Sequence, residues 1–316
     1  MNIIMRSMAN AILFLCYFCL TAALGNAALA AGKQDQDGNK NFEIELSTGV
    51  EYRSKVSVDE LDTFTDSGDV AALLGAKLKF EFDVTRNTSV NIDYSFSQSL
   101  HDELDQFDLQ THYVSLDLAH DFGKVDVGVS HMYLDSGLDG SDFMTYQKTT
   151  LYLTALLGRK VFVRAELGFA DKEFDTVSER DAKVQSAGTD WFFFLNGPKT
   201  YVLLGYRFDQ EDAVAPEHDY KRHNFKIHLI HRFDLFRRQA KFNIGWRYED
   251  RDYSDITPSI GVVREEQRIK IRASLELPLT DRFETVFKYE IRDYESNLPE
   301  ANRADYLASI ELIARF

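Results

Sequence analysis

Three stretches of the chain set cationic side chains an even number of residues apart. Lys226, His228 and Arg232 share one register, as do Lys241 and Arg247, then Arg268, Lys270 and Arg272. Even spacing in an extended segment puts side chains on one face. Consecutive strands carrying them would therefore present one basic wall, opposed on the same face only by Glu249 and Glu276. Such a wall attracts anionic solutes, acidic sugars or carboxylates, when it lines a watery path. The equivalent face of the earlier segments is acidic. It offers Glu43, Glu45, Glu51, Glu81, Asp93, Asp117, Asp126, Glu166 and Asp190 against Arg53, Lys77, Lys79, Lys148 and Arg164. A second reading stays open: the two walls pair across the interior, through Glu45, Glu81 or Asp93, and plug it, because buried charges need partners.

Nucleophile chemistry needs a hydroxyl within reach of a histidine. Ser130 beside His131 is the one adjacent pair, and neighbours on a strand point to opposite faces. His228 and His231, three apart, diverge in the same way, which argues against a metal pair. "GLDGSD" at 137–142 resembles a calcium loop but lacks its ligand spacing. The expectation is a protein that is not an enzyme and carries no cofactor and no metal.

The elements that must position the charged faces are strands. Fourteen alternating segments lie near 42–52, 72–82, 88–98, 111–119, 125–134, 146–157, 161–171, 188–195, 200–209, 220–233, 239–250, 266–277, 282–293 and 305–316. "RIKIRASLEL" sets Ile269, Ile271, Ala273, Leu275 and Leu277 against Arg268, Lys270, Arg272, Ser274 and Glu276. A lysine between two isoleucines suits lipid on one face and water on the other. Short connections such as "HDFGK", "NGPK" and "PLTD" alternate with long ones such as "RSKVSVDELDTFTDSGDVA". That rhythm, an even strand count and both ends on the short-turn side predict an outer-membrane barrel with short periplasmic turns and longer extracellular loops. Beyond the N-terminal stretch, no apolar run approaches the roughly 18 residues of a spanning helix. Tyr206, Tyr248 and Tyr289 recur at strand ends before acidic residues and suit an interfacial girdle.

Arg6, the apolar run 11–24 and the small-residue site Ala28-Leu29-Ala30 read as a signal peptide over residues 1–30. Residues 31–41 are a polar lead-in, and 42–316 form a single barrel. Cys16 and Cys19 both fall in the removed segment, so no disulfide is expected. The formal net charge of −15 excludes nucleic acid as a natural partner.

The ending "YLASIELIARF" resembles the C-terminal insertion signal of bacterial outer-membrane β-barrel proteins. The resemblance implies that Tyr306 and Phe316 are the aromatics read by the barrel-assembly machinery. The last two dozen residues also resemble the final hairpin of the surface lipoprotein assembly modifier family, through Ser296, Asn297, Leu298, Pro299 and Arg303. That family's barrel is fourteen-stranded and follows a helical-repeat domain with no counterpart expected in this chain. Two functions are expected from these readings. One is a monomeric porin-like channel for small hydrophilic, anionic solutes, set among outer-membrane lipid and lipopolysaccharide of a Gram-negative cell. The other is an assembly or export barrel for surface lipoprotein or polysaccharide, working with a periplasmic partner.

Overall fold

The computed structural model describes residues 42–316, so the expected signal peptide and lead-in lie outside the described residues. Alternating apolar and polar residues leave each segment with one face for lipid and one for water, and no strand can satisfy its backbone alone. Fourteen strands satisfy one another. They are β1 (Phe42–Arg53), β2 (Asp69–Thr85), β3 (Thr88–His101), β4 (Leu109–Asp121), β5 (Val125–Leu138), β6 (Ser141–Leu157) and β7 (Val161–Phe174). The second half comprises β8 (Ala182–Asn196), β9 (Thr200–Ala213), β10 (Tyr220–Leu235), β11 (Arg238–Thr257), β12 (Val262–Pro278), β13 (Phe283–Ser296) and β14 (Arg303–Arg315). Each pairs with its chain neighbours, and β14 returns to β1 in a closed antiparallel, up-and-down barrel.

Closure runs from Glu45 opposite Arg315 to Arg53 opposite Leu307. Phe316 adds the last rung: its N–H donates to the Ile44 carbonyl at 2.9 Å and its carbonyl accepts from the Ile44 N–H at 3.2 Å. Its ring centroid lies 6.0 Å from the Arg282 guanidinium. Outside, Leu116, Leu151, Phe169, Ile227 and Ile271 are exposed and form part of the apolar band. Tyr306 sits in an aromatic cluster at the long-loop end, 6.0 Å from Tyr52 and 6.2 Å from Tyr289 between ring centroids.

All fourteen expected segments are present, but many run further toward the long-loop end. β8 begins at Ala182 rather than 188, and β11 continues to Thr257 rather than 250. The apolar stripe stops where lipid stops, whereas the hydrogen-bond ladder continues into water. Several expected long loops therefore shrink. "GLDGSD" is no cation loop but a hairpin turn closed by Asp139 and Gly140, both left-handed at φ 52° and 70°. The connection that stays long is residues 54–68, here called L1. It carries a two-stranded hairpin, Ser57–Val58 with Thr63–Phe64, around a 3-10 turn, Asp59–Leu61.

Candidate functional site: the lumen and its inserted loop

L1 is short on apolar residues but rich in carboxylates, and the strand ends around it are rich in arginine. Charge and geometry draw it into the long-loop mouth. Asp62, left-handed at φ 54°, receives a two-pronged contact from Arg264 of β12, at 2.8 and 3.0 Å. Arg180, in the connection after β7, reaches the same carboxylate at 3.0 Å and the Glu60 carbonyl at 2.9 Å. Asp59 pairs with Arg303 of β14 and accepts from the Tyr294 hydroxyl at 3.2 Å. β7 and β14 stand on opposite sides of the ring, so L1 bridges the mouth. Its apolar foothold is Val56, 1 % exposed, which with Val58 faces Leu109, Leu134 and Phe143 across a cavity of about 290 Å³.

Burial acts to raise the Asp59 carboxyl, but Arg303, Arg268, Arg292 and Lys270 outweigh it and hold the group well below the usual carboxylate range. Burial likewise opposes ionised Asp62, and hydrogen bonds and charge from Arg264 and Arg180 overcome it. His218, in the connection before β10, is pushed down by burial and by nearby Arg180.

Beneath L1 the long-loop half of the lumen is a salt-bridge lattice. Glu266 is fully buried between Arg264 and Arg268, with Arg251 at 3.8 Å. Asp305 joins Arg292 at 2.7 Å and Arg303 at 3.1 Å. Tyrosine faces back the guanidinium groups: Arg264 over Tyr253, Arg268 and Arg303 over Tyr294, Arg251 over Tyr220. Toward the short-turn end the lumen opens. Lys77 and Arg272 keep 65 % and 55 % of their side-chain surface in solvent.

The expected basic wall stands together on β10, β11 and β12, its members on the inner face. Register places Lys226 opposite Arg247, Arg247 opposite Lys270, and Lys241 opposite Glu276. The members differ in their partners. Lys226 holds Asp190 at 2.9 Å, Lys241 holds Glu276 at 2.8 Å, and Arg272 holds Glu290 at 2.5 Å. Arg268 is locked to Glu266, and Arg247 only grazes Glu249 at 3.9 Å. Arg232 donates to the Pro198 carbonyl at 2.5 Å near the short-turn rim. The ring of His228 covers Gly245, where any Cβ would strike it. Lys270 has no carboxylate within 4 Å among the described residues and stands 6.0 Å from the centre of the Tyr294 ring.

Among the described residues the wall makes no pair with Glu45, Glu81 or Asp93, and from the acidic set it takes Asp190. Glu45 is taken by Lys77 at 2.9 Å and Arg315 at 3.0 Å, its own neighbours. The wall finds carboxylates on its own or the next strand, on β8 across Gly205 for Lys226, and at the mouth on L1. Ser130 faces the lumen, whereas His131 turns outward to Thr149 at 3.0 Å. His228 faces inward and His231 outward to Thr200 at 2.9 Å. The lattice arginines Arg222, Arg251, Arg264, Arg292 and Arg303 were not foreseen. Their signal is the same even spacing, continued past the apolar stripe: Arg247-Glu249-Arg251 and Arg264-Glu266-Arg268. The motif residues of the last hairpin have structural work here. Asn297 caps the Glu265 N–H and the Val263 carbonyl, Leu298 is buried, and Arg303 seats L1.

No protein-family model and no curated protein matches the sequence. Solved structures do match in shape. CdiB from Acinetobacter baumannii aligns with a TM-score of 0.51 at 11 % identity, covering 88 % of this chain and 60 % of that one, so the chain spans well under two thirds of CdiB. A loop-deletion variant of OmpT, an outer membrane protein of Vibrio cholerae, gives 0.51 at 10 % identity, covering 87 % of this chain and 98 % of that one. An anion-selective porin from Comamonas acidovorans gives 0.50 at 8 % identity, covering 87 % and 98 %. At such identities the likeness is one of fold alone, and the fold is that of an outer-membrane β-barrel.

Proposed function

We propose that the chain is an outer-membrane channel for small hydrophilic solutes with a preference for anions. The long-loop mouth faces outside the cell, the short-turn end faces the periplasm, and L1 is the constriction. The observation that carries this reading is the inner face of β10 to β12. There Lys270 holds no carboxylate within 4 Å among the described residues, Arg247 reaches Glu249 only at 3.9 Å, and the half of the lumen below them is open to water. The fold likeness to an anion-selective porin supports it. Ser130 and His131 face apart and do not form a nucleophile–base couple.

In planar bilayers the protein should carry an anion-biased current at low salt. The bias should fade near 1 M, where screening shortens to roughly 3 Å. Lys270→Gln with Arg272→Gln should weaken the bias and leave the barrel folded. A silent barrel would reject the channel and favour the export reading, in which a periplasmic partner does the sorting.

Tyr306 and Phe316 are proposed as the insertion signal. Phe316→Ser should lower the amount of protein in the outer membrane and leave chain in the periplasm. Unchanged surface abundance would remove that role.

A further inference from the structure

Beside L1, on the β6–β10 side of the lumen, lies a chamber of about 260 Å³. Its walls carry eight cationic side chains, Lys148, Lys172, Arg180, Arg207, Arg222, Arg251, Arg264 and Arg268, against five carboxylates. Most of these charges are already matched. Arg207 holds Glu166, Lys172 holds Glu211 at 2.5 Å, and Arg222 holds Asp209 at 2.9 Å, whereas Lys148 and the Tyr146 hydroxyl hold no protein group among the described residues. Both project from β6, two residues apart, into the same space. The charges around Lys148 are Arg207 and Arg222 on one side of the ledger, Glu166 and Asp209 on the other. Its stem crosses Gly168, where a Cβ would lie 2.6 Å from Cε, so the bare backbone of β7 gives the lysine its track into the chamber.

An ammonium left without a counter-charge in a partly enclosed, cation-rich space calls for an anion from solution. The chamber lies near the lower end of small-molecule pockets, about 300 Å³, which suits one small solute. Tyr146 supplies a ring face and a hydroxyl, Tyr220 and Tyr253 are already covered by Arg251 and Arg264, and the rest of the lining is mostly charged, which suits a hydroxylated solute. We propose that this chamber is a solute-binding site for a small hydroxylated carboxylate of the sugar-acid class. Lys148 pairs with the carboxylate and Tyr146 hydrogen-bonds to it, while the charged lining around them accepts the solute's hydroxyls. The site rests on the channel reading for the route by which solute arrives, and it names the solute class of that lumen.

The test is calorimetric titration of the full folded barrel in detergent with glucuronate, using glucose as the uncharged counterpart. Wild type should bind glucuronate saturably and glucose not at all. Lys148→Gln should weaken binding by about tenfold or more, and Tyr146→Phe by about threefold, in line with charged and neutral hydrogen bonds. Lys148→Arg should restore most of the affinity, and Lys183→Gln, on the outer face, should leave it intact. Heat-dependent gel migration checks that each variant is folded, and the wild-type titration stands if one is not. No saturable binding by folded wild type, equal binding of glucose, or a folded Lys148→Gln that binds like wild type would overturn the site. Anion-selective current without glucuronate binding rejects the site and leaves the channel. Binding in a barrel that carries no current supports the site and rejects the channel.

Discussion

The two halves of the lumen are built from the same alternating charges and behave as different materials. Near the long loops, Glu266, Asp305, Arg264 and Arg303 are almost wholly buried and interlocked. Near the short turns, Lys77, Arg272 and Arg315 pair with carboxylates while much of each side chain stays in water. The strand ends near the long loops carry arginine backed by tyrosine, and L1 completes the difference by bringing Asp59 and Asp62 into the mouth. A salt bridge in the first half is a desolvated contact that cannot lose one member cheaply, and in the second water screens the cation end even where the carboxylate is covered, as in Arg272–Glu290.

The largest effect should come from breaking the dry half. Glu266→Gln leaves Arg264 and Arg268 without their shared carboxylate, and removing one member of such a buried network costs about 3–5 kcal/mol. The temperature at which the folded gel band disappears should fall clearly, and an unchanged value would mean that water reaches the lattice. Acidification should act next. Asp59 and Asp62 are held below the ordinary aspartate range, so their contribution is complete above roughly pH 4–5 and is lost as pH falls toward their folded values. Conductance should therefore rise as pH drops from 7 to 3, mostly at the acid end. A flat profile would show that L1 does not limit the pore. The smallest effect belongs to the wet half. Glu276→Gln, which frees Lys241, should cost about 0–1 kcal/mol and barely move the melting temperature. A loss equal to that of Glu266→Gln would erase the contrast between the halves.

Strand number, facing and closure were legible in the sequence because lipid imposes a period of two that a single chain displays. The basic wall was legible for the same reason, Lys270 lying between Ile269 and Ile271 and Arg272 between Ile271 and Ala273. What alternation does not encode is where an irregular segment goes. Nothing in "SVDELD" distinguishes an inserted loop from a solvated one, because its partners Arg180, Arg264 and Arg303 are set by the ring and not by spacing. The extended strand ends were missed because the stripe of apolar residues ends at the lipid while pairing does not. The chamber beside L1 hid for a related reason: Lys148 reads as one stray cation on an acidic wall until β9 and β10 bring Arg207 and Arg222 round to meet it.

L1 also dates the events of folding. It lies near the start of the described chain, yet its clamps come far later, Arg264 being 202 residues away from Asp62 and Arg303 244 residues from Asp59. Ser54, at the root of L1, exchanges hydrogen bonds of 2.9 Å with Tyr306 across the β1–β14 seam. Arg180 and the apolar foothold of Val56 are available to the loop earlier, but the Arg264 and Arg303 clamps must wait until the last strands arrive and the ring shuts. Contacts so distant in sequence are among the last to form. The fully clamped loop is therefore the mark of a finished barrel.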